Sequence, residues 1–218
     1  MKKLIMKVVC IIIMCVTIVS IYIYTRYQNT SSERPLDEYE GQIDAIYSSS
    51  DMDKDGIDDQ TDILEGALNY VNTKPKYASK YYDTGYPDDN YGVCTDVVAF
   101  ALMNAGYDLQ AEVNIDILDN PKEYGIEKAD KNIDFRRVKN LKIYLSNKAI
   151  TLTKDIYDID EWQGGDIVVF KKHIGIISDR RNRDGVTYVI HHSSPYQKYY
   201  EEDILEKRDD IVGHYRIM

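Results

Sequence analysis

Cys94 opens a segment in which Val97, Val98, Ala101, Leu102 and Ala105 recur at helical spacing. This spacing predicts a helix over 94–105 with Gly106 at its C-cap. A thiol attacks as its thiolate, and the first turn of a helix favours that anion through unpaired amides and aligned peptide dipoles. The same turn offers a backbone N–H to a developing oxyanion, a contribution of about 3 kcal/mol. A base must come from elsewhere in the chain. His173, immediately ahead of the apolar run 174–178, fits that role, and His191, at the end of the run 186–191, can orient its imidazole and fix its tautomer. Two other readings use the same residues. Cys94 also lies on the apolar face of its helix, where a thiol is a small packed hydrophobe. Cys94, His173 and His191 could be zinc ligands, but such sites usually bring close-spaced pairs, and His191 and His192 point to opposite sides of a strand. Tyr86 or Tyr91 is a candidate second oxyanion donor.

A second chemical signature lies upstream. Asp51, Asp53, Asp55, Asp59 and Asp62, with the carbonyl of Ile57, occupy positions 1, 3, 5, 9, 12 and 7 of a loop that has Gly56 at position 6. Calcium takes six to eight hard oxygens, and this alternation lets one short loop wrap the ion. The loop resembles those of EF-hand, dockerin and thrombospondin-type repeats, with Asp62 where an EF-hand has Glu. The expectation is a structural Ca2+ that fixes the preceding segment against a helix beginning near Ile63. A solvated acidic linker is the alternative.

Several elements must position these groups. Residues 1–25 begin with two lysines and continue as a nearly unbroken apolar run, long enough to span the roughly 30 Å of a bilayer core. The lysines should stay cytoplasmic, which places the remainder outside the membrane. No small-x-small site follows the run, so an anchor is expected, with a cleaved signal and a secreted product as the alternative. Cys10 and Cys15 fall inside the run, leaving Cys94 as the single exported cysteine. Residues 26–50 read as a flexible stalk, with a short helix over 38–47. Residues 51–62 form the calcium-like loop and residues 63–218 one catalytic-size domain. A helix is predicted over 63–71, another over 135–146, and strands over 167–170, 174–178, 186–191 and 211–217. Helices followed by an antiparallel meander is an α+β order. A net charge of −10 argues against nucleic acid as a partner, because holding phosphates needs clustered Lys and Arg.

The motifs Gly92-Val93-Cys94-Thr95-Asp96, Gly106-Tyr107-Asp108, Asn132-Ile133-Asp134 with Arg136-Arg137, Gly165-Asp166-Ile167, His173-Ile174-Gly175-Ile176, Val189-Ile190-His191 and Gly213-His214-Tyr215-Arg216 resemble the YijF-like domain-of-unknown-function family of exported bacterial proteins. That family is in turn similar to NlpC-type cell-wall hydrolases. The resemblance implies a papain-like fold, with N-terminal helices packed on a small antiparallel sheet or half-barrel. It also implies Cys94 as nucleophile, His173 as base and His191 as orienting residue, acting on an amide bond in peptidoglycan stem peptides. Position 192 is His where the family suggests Asn, so His191 and His192 compete for the third role. Asp96, Asp116, Asp134, Arg136 and Arg137 match the family without an assigned step, and surface ion pairs or helix caps account for them. A non-catalytic wall-binding module or an acyltransferase on the same fold are the competing functions.

Overall fold

The computed structural model describes residues 1–217. Helix α1, Lys2–Arg26, carries 25 residues with none buried and is long and apolar enough to cross a membrane.

The chain that follows is not the flexible stalk its polar, aperiodic sequence predicts. Ser31 donates its N–H to Lys198 O at 2.9 Å and accepts that of Tyr200 at 3.0 Å, and Arg34 makes a two-bond fork with Glu201 at 2.8 and 3.0 Å and a further ion pair with Asp179. Residues 27–38 form a strap laid across the domain, held by Tyr77 and by partners more than a hundred residues away. The helix expected over 38–47 is absent; this stretch is turns and irregular chain.

Helix α2, Asp59–Asn72, starts inside the acidic loop rather than after it, because Asp58 serves as N-cap and accepts the Thr61 N–H. Two short strands, β1 (Lys76–Tyr77) and β2 (Tyr91–Gly92), pair in parallel and bring the chain to α3, Cys94–Asn104. Helix α3 ends as its sequence predicts, with Gly106 at φ +84° and Tyr107 donating back to Leu102 O at 2.9 Å. Helices α2 and α3 approach closely because Gly66 presents no Cβ: an added one would lie 2.5 Å from that of Asn104 and 2.9 Å from Ala101 O.

Helix α4 (Leu109–Asp119) and the single turn α5 (Pro121–Tyr124) follow, then a 3-10 turn at Asp134–Arg136 and α6 (Val138–Lys148). The final part is one antiparallel sheet of β3 (Ile150–Thr151), β4 (Ile167–Phe170), β5 (His173–Arg181), β6 (Thr187–Ile190), β7 (Glu201–Glu202) and β8 (Ile211–Arg216), in the order β3-β8-β4-β5-β6-β7. The architecture is α+β, with the helices on one face of the sheet. Alternation along the strands splits the core in two. Ile167, Val169, Ile174, Ile176 and Ile190 meet the helices. Val168, Phe170, Ile177 and Val189 close a smaller cluster with Trp162 and Leu205 on the other face.

Candidate active site

Cys94 occupies the first position of α3, as its spacing predicts. The helix start is fixed by Asp96, whose Oδ2 accepts the Val93 N–H at 2.8 Å. The same carboxylate takes a two-bond fork from Arg136, at 2.6 and 2.9 Å, with both side chains fully buried. Arg136 also donates to Lys80 O at 2.7 Å, and Thr95 to Arg136 O at 3.3 Å. Asp96 is therefore a helix cap as expected, but its ion pair is buried rather than superficial. It locks the nucleophile's turn to the 3-10 turn forty residues away.

The backbone N–H of Ile174, the residue directly after His173, and N–H groups of the thiol's own turn favour the Cys94 thiolate. Burial nevertheless outweighs these donors and pushes the thiol up to about 11. The helix start was expected to favour the thiolate; instead the enclosed site holds a neutral thiol, because the donors stabilise an anion less than loss of water penalises it.

His173 Nε2 and His191 Nδ1 lie 2.9 Å apart, with the rings nearly perpendicular. Gly175 sits between them on the same face of β5. A Cβ there would lie 3.2 Å from that of His191 and 2.6 Å from Val189 Cγ1. His191 has two polar neighbours on its Nε2 side. Its Nε2 is 3.4 Å from Glu202 Oε2 and 3.3 Å from Gln197 Nε2. The Gln197 amide also donates to His191 O at 3.0 Å and Tyr199 O at 2.7 Å, so in the tautomer with its proton on Nε2, His191 directs that proton toward Glu202. His191 Nδ1 then accepts from His173 Nε2–H, which leaves His173 Nδ1 with a free lone pair. Burial, reinforced by His191, pushes His173 down to about 3, so its imidazole is neutral.

His192 takes the other side. Its ring packs edge-on against Tyr77 and Tyr200, with centroids 5.3 and 5.1 Å away, and its buried Nδ1 has no partner. Of the two competing histidines, His191 is the one that meets His173. Neither expected oxyanion donor reaches a defined role: Tyr86 packs on Phe100 and Phe135, and Tyr91 lies under the Lys80 ammonium, 3.6 Å from its ring centre.

A family model described as a domain of unknown function, DUF1287, matches residues 64–217. The chain belongs to the DUF1287 family. It is also similar to the uncharacterized protein YijF of Escherichia coli (strain K12), 36% identical over 169 residues, which cover 71% of this chain and 80% of that one. No solved structure matches.

The DUF1287 match contains Cys94, His173, His191, the Asp96–Arg136 pair and a second buried cluster around Asp166. That carboxylate accepts from Arg216 at 2.7 Å, lies 3.0 Å from His214 Nε2, and takes the Gln60 amide at 2.9 Å. Trp162 stacks on His214 at 3.7 Å. The cluster ties β4 to β8 and α2, on elements away from Cys94, and it explains the Gly165-Asp166 and His214–Arg216 motifs as structure. Asp116 and Asp134 are structural too. Asp116 Oδ2 binds the Tyr124 hydroxyl, and Asp134 accepts the Asp130 N–H at 2.7 Å while Arg137 stands 3.6 Å away at the surface. The sequence reading did not single out Glu202, Gln197 or Tyr77 for the site; none belongs to a recognisable spacing.

The acidic loop and the strap lie ahead of the DUF1287 match. Asp51, Asp53 and Asp55 place carboxylate oxygens within 4.8 Å of one another, with Gly56 at φ +97° making the turn and Asp51 accepting the Asp55 and Gly56 N–H groups. Neither Asp59 nor Asp62 joins them. The Asp59 oxygens accept Met52 N–H at 2.8 Å and the Tyr107 hydroxyl at 2.5 Å. The Ile57 N–H donates to Asp55 at 2.8 Å. Asp62 is buried with Oδ2 unpartnered, and burial together with Asp55 and Asp53 raises it to about 6.

Proposed function

We propose that this chain is a papain-like, NlpC-type cysteine amidase that acts on amide bonds of peptidoglycan stem peptides outside the cell membrane. The observation that carries the reading is the meeting of α3 with the start of β5, where the N–H of Ile174, next in the chain to His173, favours the Cys94 thiolate, with His173 and His191 paired at 2.9 Å at that end of the strand. His173 Nδ1 takes the thiol proton as sulfur attacks the amide carbon. The carbonyl oxygen draws on N–H groups at the helix start, and the amine leaves with the proton from His173. Water then releases the acid and restores the thiol. Resolution by another amine would make the same centre an acyltransferase.

The enclosed thiol favours one competing reading, a wall-binding module in which Cys94 is only packed. Full-length chain in detergent, incubated with defined muropeptides beside Cys94→Ala, separates the two by mass spectrometry. Loss of a stem residue with the parent and none with the variant is the expected result. Intact muropeptides after both, with Cys94 unreactive to iodoacetamide from pH 6 to 9, would leave the module.

Residues Asp51, Asp53, Asp55 and Asp62, with the carbonyl of Ile57, are proposed as ligands of a structural Ca2+. The buried, unpartnered oxygen of Asp62 supports a cation there, since a carboxylate without water or a donor is costly. Asp59, held by Met52 and Tyr107, would act behind the ligands rather than among them.

A further inference from the structure

Helix α1 and the Cys94 site are joined by a connection too short to separate them. Gln28, two residues beyond the end of α1, adopts φ +54° and clamps both backbone groups of Tyr77: its Oε1 accepts the Tyr77 N–H at 2.7 Å, and its Nε2 donates to Tyr77 O at 3.0 Å. Its own N–H donates to Pro195 O at 2.6 Å. Tyr77 in turn packs on His192 and pairs in register with Gly92, two residues ahead of Cys94. Tyr27 stands edge-on to Tyr196, 5.8 Å between centroids, in the loop that follows His191 and His192. A cleft of about 660 Å³ runs between these groups, lined by Tyr24, Tyr27, Gln28, Lys76, Tyr77 and Tyr91. Tyr24 belongs to α1 itself.

Distance decides what this means. A 25-residue helix is about 37 Å long, slightly more than the roughly 30 Å hydrocarbon core, so its last turn enters the headgroup layer. Two further residues add at most about 7 Å. Tyr22, Tyr24 and Tyr27 form the aromatic belt expected at that depth. Lys76 borders the cleft and Arg26 lies in the last turn of α1; among the described residues neither is ion-paired, as suits an anionic surface.

We propose that this cleft, walled by the β1–β2 pair that delivers the chain to Cys94, opens at headgroup level and takes an amide substrate anchored in the membrane by a lipid, rather than finished wall material farther out. This rests on the amidase reading for its chemistry but not for its geometry. Concentrating enzyme and substrate on one surface replaces a three-dimensional search, and a strapped domain gains that advantage only if its mouth faces the bilayer.

The test uses the full chain in phosphatidylcholine–phosphatidylglycerol vesicles. Position is read by a Tyr91→Trp variant with headgroup nitroxide lipid, the parent with its buried Trp162 serving as reference. Activity is read with a muramyl pentapeptide carried on a polyprenyl diphosphate and with the same pentapeptide free in solution. A second variant inserts a flexible Gly-Ser spacer between Tyr27 and Gln28, which keeps the strap contacts from Gln28 onward, gives up only Tyr27–Tyr196, and frees the domain from the surface. Quenching of the added tryptophan, and cleavage of the lipid-borne substrate that falls about tenfold or more with the spacer while the free pentapeptide is unaffected, is the expected outcome. No quenching, or equal rates with and without the spacer, overturns the inference. Quenching with neither substrate cut retains the geometry and ends the amidase reading.

Discussion

His173 and His191 face each other at 2.9 Å because position 175 has no side chain. Gly175→Ala would drive a methyl to within 2.6 Å of Val189 and 3.2 Å of His191, so the two imidazoles must separate. Turnover of a stem-peptide amide should fall by about 10- to 100-fold in Gly175→Ala, against 100-fold or more in His173→Ala. Unchanged turnover in Gly175→Ala would show that the pair is not the working base.

Glu202 acts through His191 and is a positioning residue. In Glu202→Gln the acceptor for His191 Nε2–H is weakened, the ring can carry its proton on Nδ1 instead, and His173 is left with the wrong nitrogen protonated. The expected result is a lower kcat with KM unchanged and a displaced acid limb of the pH profile, whereas a purely structural role would leave the profile in place.

The two depressed histidines make stability acid-sensitive. Burial pushes His173 down to about 3 and His192 down to about 4, so the unfolded chain, with histidines near 6.5, binds protons that the folded chain does not. Their contribution is present above about pH 6.5 and is lost as pH falls toward those values. His192→Gln should flatten the decline in urea midpoint between pH 7 and pH 4.5. An equal slope in parent and variant would contradict the burial of a neutral ring.

Removing one partner of the buried Asp96–Arg136 pair leaves an uncompensated charge beside the start of α3. Arg136→Ala should cost about 3–5 kcal/mol, seen as a large fall in Tm. The Asp96→Ala/Arg136→Ala double variant should lose less than the sum of the single losses, since neither leaves its partner stranded.

Calcium should raise Tm in the parent and much less in Asp53→Ala. The loop also touches α3: a Cβ on Gly106 would lie 2.9 Å from that of Asp53, and Tyr107 is bonded to Asp59. Carboxylates therefore crowd the negative end of the α3 dipole, an arrangement that a cation relieves. No heat on calorimetric titration with calcium would remove the ion from this account.

The sequence is most legible where burial leaves a local pattern. Helix α3 follows from apolar residues recurring at 3.6, and β4 and β5 from short continuous apolar runs bounded by turn residues, as strands buried on both faces require. Helix α4 carried a readable signal as well, with Asp108 as N-cap and Leu109, Val113 and Ile117 four apart, but its exposed Ile115 and Leu118 blur the stripe. The strap was not legible, because a polar segment held by residues distant in the chain leaves no such pattern. Cys94, His173 and His191 could be picked out by residue type and position. The sign of the thiol shift could not, since it depends on what encloses the sulfur.

The strap also decides where the chain can be cut. A fragment beginning at Glu38 looks natural from hydropathy, yet it discards Arg34 and strands Glu201, whose side chain is 4% exposed, beside Ser178. It also removes Gln28 from Tyr77 and Ser31 from the rim of the last strands. Soluble preparations should retain residues from Gln28 onward, and shorter ones are expected to associate through the uncovered sheet edge.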